Sequence, residues 1–98
     1  MKPETEEKLA ALAVGLRSFM DQRLSTVNVE DLELRVDLTA RQIGHLAREY
    51  PEELARALGV RKVRYYGSSY TRSQDPRAAR QHHYGTARYE KPSISIFE

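Results

Sequence analysis

Leu9, Leu12, Leu16, Phe19, Met20 and Leu24 recur at spacings of three and four. That spacing aligns them in one apolar stripe, so residues 4–24 read as an amphipathic helix. Glu4, Glu6 and Glu7 stand at its start, where the helix dipole favours negative charge. Gly15 weakens its middle by roughly 1 kcal/mol relative to Ala. The stripe can pack on the chain's own sheet or on a second copy, which makes a homodimer through this helix one expectation. Arg23 at the next seam position of a heptad favours packing within the chain.

The period then changes. Leu32, Leu34, Val36 and Leu38 alternate with Glu33, Arg35 and Asp37, the pattern of a strand with one buried face. Val27 and Val29 alternate in the opposite phase, which predicts a bend or bulge near Glu30-Asp31. Thr39 followed by Gln42 forms a capping box, and Leu38 with Ile43 has the spacing of a hydrophobic staple. Ile43, Leu46, Ala47 and Tyr50 make one face of the helix that starts there. Pro51 ends it and opens a short second helix to Leu58, stopped by Gly59. His45 sits beside the core face.

From Val60 to Tyr66, branched and aromatic residues predict a strand, and Gly67-Ser68-Ser69 a bulge or bend before Tyr70. Residues 72–81 are polar, with Asp75-Pro76 as a turn signal. His82–Tyr89 reads as a further strand interrupted at Gly85. In the last strand Ile94 and Ile96 alternate with serines, and Pro92 near its start predicts an edge position. The order α-β-α-α-β-β-β gives a single α+β domain over residues 1–98. A small antiparallel sheet of three to four strands carries the N-terminal helix and the short helix pair on one face.

Charge divides this chain of 98 residues. Residues 61–98 hold eight Lys/Arg against three Asp/Glu and five of the six tyrosines, whereas residues 1–60 hold eight against eleven. The overall +2 hides these two opposite parts. Arginine and lysine interleaved with aromatic rings suit an anionic partner with flat faces, which makes nucleic acid the first expectation. If Val63 and Tyr65 cover the helices, Lys62, Arg64 and Tyr66 face outward. They join Tyr70, Arg72, Arg77, Arg80, Tyr84 and Arg88 as the candidate binding residues. The plainer alternative makes the tyrosines core or cross-strand pairs and the arginines a solvated face. An acidic protein surface is the competing partner, as for a phage- or mobile-element-encoded inhibitor or adaptor, because Tyr and Arg also anchor protein interfaces.

With no cysteine, disulfides, thiolate chemistry and cysteine-bound zinc are excluded. No apolar run approaches the roughly 20 residues of a membrane span, and the acidic start is unlike a signal peptide, so the cytoplasm is the expected location. His82 and His83 are adjacent and in a strand point to opposite faces, which disfavours a metal site. The glycines stand singly, so no phosphate-cradling loop is present. The expectation is non-catalytic binding without a cofactor.

Two stretches carry a family resemblance. Glu53–Val60 resembles the first helix and turn of a helix-turn-helix, and Val63–Tyr66 resembles a tail of that motif. Only Arg61-Lys62 lie between them, too few to start a recognition helix. Over residues 39–90 the element order is similar to a winged-helix domain, which implies residues 51–58 as recognition helix and residues 60–90 as wing. Glu52 and Glu53 at that helix's start repel DNA, so the resemblance implies binding by a basic wing. His82-His83-Tyr84 with nearby arginines resembles the residue sets of small ribonuclease toxins, without a spacing that assigns roles.

Overall fold

The computed structural model describes residues 1–71 and 88–98, and its elements follow local signals at most of their boundaries. Helix α1 (Pro3–Asp21) buries Leu9, Leu12, Leu16 and Phe19. It stops three residues before Leu24. Arg23 adopts a left-handed φ of 62° while the amides of Arg23 and Leu24 donate to the carbonyls of Met20 and Phe19. This is a Schellman end built on a residue other than glycine. Leu24 is consequently left largely exposed.

Strand β1 (Thr26–Asn28) is followed at once by a short helix, α2 (Val29–Glu33). The strand expected over residues 32–38, and the bulge at Glu30-Asp31, are therefore corrected: the backbone there is helix and then turn. Asn28 precedes a first turn carrying Glu30 and Asp31, a favourable helix start. Val29 and Leu32 are both fully buried, three residues apart on one helical face, whereas Leu34 is 87% exposed. A strand would place Leu32 and Leu34 on the same face, and only one of them has a core to enter. Val36 packs into the space above Gly15, where an added Cβ would lie 2.5 Å from its Cγ1. Gly15 weakens α1 locally but lets this turn sit against it.

Helix α3 (Ala40–Glu49) begins with the expected capping box. The Gln42 amide donates to Thr39 Oγ1 at 3.2 Å, and the Thr39 amide donates to Gln42 Oε1 at 2.9 Å. Leu38 and Ile43 are both buried beside it. Helix α4 (Pro51–Leu58) starts on its proline and ends on Gly59, left-handed at φ 70°.

Strands β2 (Lys62–Tyr66) and β5 (Ser93–Phe97) pair antiparallel, and β1 joins on the far side of β5, giving the order β1-β5-β2. The edge position expected for the last strand is corrected, since β5 is central. Pro92 stands just outside the ladder, so its missing N–H costs no strand pairing, and its carbonyl accepts from the Val29 amide. Beyond a two-residue break on each side, β3 (Ser69–Thr71) pairs with β4 (Arg88–Glu90). Tyr66 opposes Ser93 and Ser69 opposes Glu90, so Gly67-Ser68 and Lys91-Pro92 balance. Register is kept, and no extra residue makes a bulge. The strand expected over His82–Tyr89 lies mostly outside the described residues; β4 contains its last two positions.

The helices cover one face of the three-stranded sheet, where Val27, Val63, Ile94 and Ile96 meet Leu12, Leu16, Ile43 and Leu54 in one core. Among the described residues no polar or charged side chain is buried. The apolar stripe of α1 lies in this core, so the homodimer expectation keeps only exposed positions such as Val14.

Candidate nucleic-acid interface

The pleat sorts β2 as its sequence implies. Val63 is buried and Tyr65 half-buried against the helices, while Lys62, Arg64 and Tyr66 are exposed on the other face. The Arg64 guanidinium carbon lies 5.1 Å from the Tyr66 ring centroid, and Lys62 Nζ lies 5.8 Å from that of Phe97. These cation–π contacts rest both charged groups over ring faces on the exposed side of the strand.

Tyr65 reaches to α3 on the helix-covered face. A Cβ on Gly44 would come within 2.8 Å of its hydroxyl, so glycine there lets the hydroxyl end of the ring close on the helix. The Arg48 guanidinium carbon then sits 5.5 Å from the Tyr65 ring centroid. Arg48, Lys62 and Arg64 line one shallow groove with Ala47, Pro51 and Gly67. Helix and strand thus bring three cations together.

Arg48 also belongs to a longer stripe. With Ile43, Leu46 and Ala47 buried, the exposed side of α3 carries Arg41, His45 and Arg48. At about 100° per residue these three fall within about 60° of one another around the helix. Glu49 flanks the stripe at its end. Among the described residues, Arg41, Arg48, Lys62 and Arg64 have no carboxylate within 4.0 Å, since the ion pairs there are Arg56–Glu53 and Lys91–Glu30. Other arginines have structural work. Arg17 donates to the Ala57 carbonyl at 2.8 Å, and Arg35 donates to Ser18 Oγ at 2.7 Å while covering the Phe19 ring.

The sequence-predicted residues are divided by this arrangement. Lys62, Arg64 and Tyr66 stand together on β2. Tyr70 and Arg88 have backbone places in β3 and β4, paired with Tyr89 and Thr71. Arg72, Arg77, Arg80 and Tyr84 lie outside the described residues, as do His82 and His83. The α3 stripe was missed. Its signal was present as Arg41, His45 and Arg48 at i, i+4 and i+7, opposite the apolar face that begins at Ile43.

Among the described residues no group of His, Asp and Glu is placed to hold a metal ion. No described helix is long and apolar enough to cross a membrane. No family model matches the chain, and neither do the curated proteins nor the solved structures.

Proposed function

We propose that this protein binds nucleic acid, with duplex DNA as the form that fits best, through the exposed ridge of α3 and the outer residues of β2. One observation carries the reading: Arg41, His45 and Arg48 lie on a single stripe that continues across a shared groove into Lys62 and Arg64. Among the described residues no carboxylate lies within 4.0 Å of the cations in this set, which leaves their charge available to phosphates.

Shape favours the same reading. A helix with side chains is about 10–12 Å across, and the major groove of B-DNA is about 12 Å wide. A ten-residue helix such as α3 spans about 15 Å of that groove. The deep, narrow major groove of A-form RNA would not admit it. The strand order and the ribbon formed by β2 and β5 with β3 and β4 support the winged-helix resemblance with its roles shifted. Helix α3 takes the recognition position, and α4, with Glu52 and Glu53 in its first turn, stays behind it.

The test is fluorescence anisotropy of a labelled duplex against a salt series. Each phosphate contact contributes a slope of about −0.9 in log affinity against log salt. Four to five contacts would give a slope near −4, with an RNA duplex of the same sequence bound more weakly. Absence of binding at low salt, or a flat salt dependence, would end the proposal.

A further inference from the structure

On the side of α3 away from β2 lies a second cleft, of about 400 Å³, between this helix and the first turns of α1. Its rim carries Lys8 from α1 and Arg41 and His45 from α3, with Thr5 and Gln42 between them. Leu46, which is buried, and the half-buried Tyr50 form its floor.

Two elements distant in sequence therefore converge cations on one concavity. Lys8 and Arg41 have no ion-pair partner among the described residues. The acids near these residues in sequence are Glu4, Glu6 and Glu7 before Lys8, Asp37 before Arg41 and Glu49 after His45, and none of them lines the cleft. Donors also dominate its rim, since a lysine, an arginine and an amide all offer N–H groups. A tetrahedral oxyanion with several acceptor oxygens matches that set, and Tyr50 and Leu46 offer apolar surface to whatever carries it. The size lies within the range of small-ligand sites, larger than one bare ion needs.

We infer that the α1–α3 cleft is a phosphate-group site, in which Lys8 and Arg41 bind the oxyanion and Tyr50 supports the attached sugar or carrier. The phosphate can come from the backbone of bound DNA or from a free phosphorylated molecule. In the first case the inference rests on the proposed nucleic-acid binding and deepens it. A helix ridge with a cationic groove on each flank meets both strands bordering a major groove, with Lys8 reaching one strand and Lys62 and Arg64 the other.

The experiment uses the full chain and the exposed variant Lys8→Ala, with Lys62→Ala as control. The first arm measures duplex DNA affinity over a salt series. The second follows amide shifts of residues 5–8 and 41–50 during titration with pyrophosphate and with a mononucleotide. Expected for the backbone source is a threefold to tenfold loss of DNA affinity in Lys8→Ala and a salt slope shallower by about 0.9. Expected for the free source is a saturable shift of the cleft amides that Lys8→Ala abolishes, whether or not DNA binds. If DNA binds, Lys62→Ala weakens it, Lys8→Ala does not, and neither small phosphate moves the cleft amides, the inference is overturned while the nucleic-acid reading stands. If DNA does not bind but pyrophosphate does, the reading falls and the cleft remains a phosphate site.

Discussion

Helices α3 and α4 are neighbours that share Tyr50, the last cap of one and the first of the other. Both are amphipathic, both face the same core, and both touch β2. Their outward sides differ. Among the described residues, Arg41, His45 and Arg48 on the outer side of α3 make no ion pair, whereas α4 begins with Glu52 and Glu53 and pairs Arg56 with Glu53 at 4.0 Å. Equal packing with opposite surface chemistry teaches that the core fixes where a helix lies and leaves its outer face free to differ. Helix α4 satisfies its own dipole with carboxylates in its first turn; α3 has none there and places Arg41 instead. That arrangement forgoes a few tenths of a kcal/mol of helix stability and suits an anionic partner.

Truncating the buried residues tests the shared half of the comparison and has the largest effect. Leu46→Ala in α3 and Leu54→Ala in α4 should each lose about 2–5 kcal/mol of unfolding free energy, since both are almost fully buried. Urea denaturation would show it, and a near-neutral result for either would break the equivalence. Gly44→Ala comes next. Its methyl group meets the Tyr65 hydroxyl, so stability should fall by roughly 1–3 kcal/mol. Because Tyr65 seats Arg48, DNA affinity should fall with it; full affinity in the folded variant would detach Arg48 from that ring.

The differing half is tested by charge. Removing both Arg41 and Arg48 to Ala should weaken duplex DNA binding about tenfold and make the salt slope shallower by about 1.8. Thermal stability should barely change, because both side chains are exposed. The smallest effect belongs to α4. Arg56→Ala breaks only a surface pair, so its stability should stay within about 0.5 kcal/mol of wild type and its DNA affinity should be unchanged. A loss of affinity as large as that of the double variant would place α4 in the interface and erase the contrast.

Local signals made most of this fold legible. The Thr39–Gln42 capping box, Pro51 at a helix start, Gly59 at a helix end and the alternation in β2 and β5 are each set by residues within a few positions. The failures needed tertiary information. Residues 32–38 alternate as a strand would, but Val29 and Leu32 reach the core from a short helix, and Val36 fills the notch above Gly15. Pro92 signalled an edge correctly for a residue inside a ladder, yet it stands just outside one. Within the candidate site, period-two reasoning placed Lys62, Arg64 and Tyr66. The α3 stripe does not show in composition, where the contrast lies in the last third of the chain. Whole-region charge averaged the basic face of α3 together with the acidic starts of α1, α2 and α4.

The most direct test of the contrast is an amide chemical-shift map of the isotope-labelled protein titrated with duplex DNA at low salt. The largest perturbations should fall on residues 41–48 and 61–66, with residues 52–57 nearly unmoved. Perturbations centred on 52–57 and sparing 41–48, or no perturbation at saturating DNA, would contradict the account.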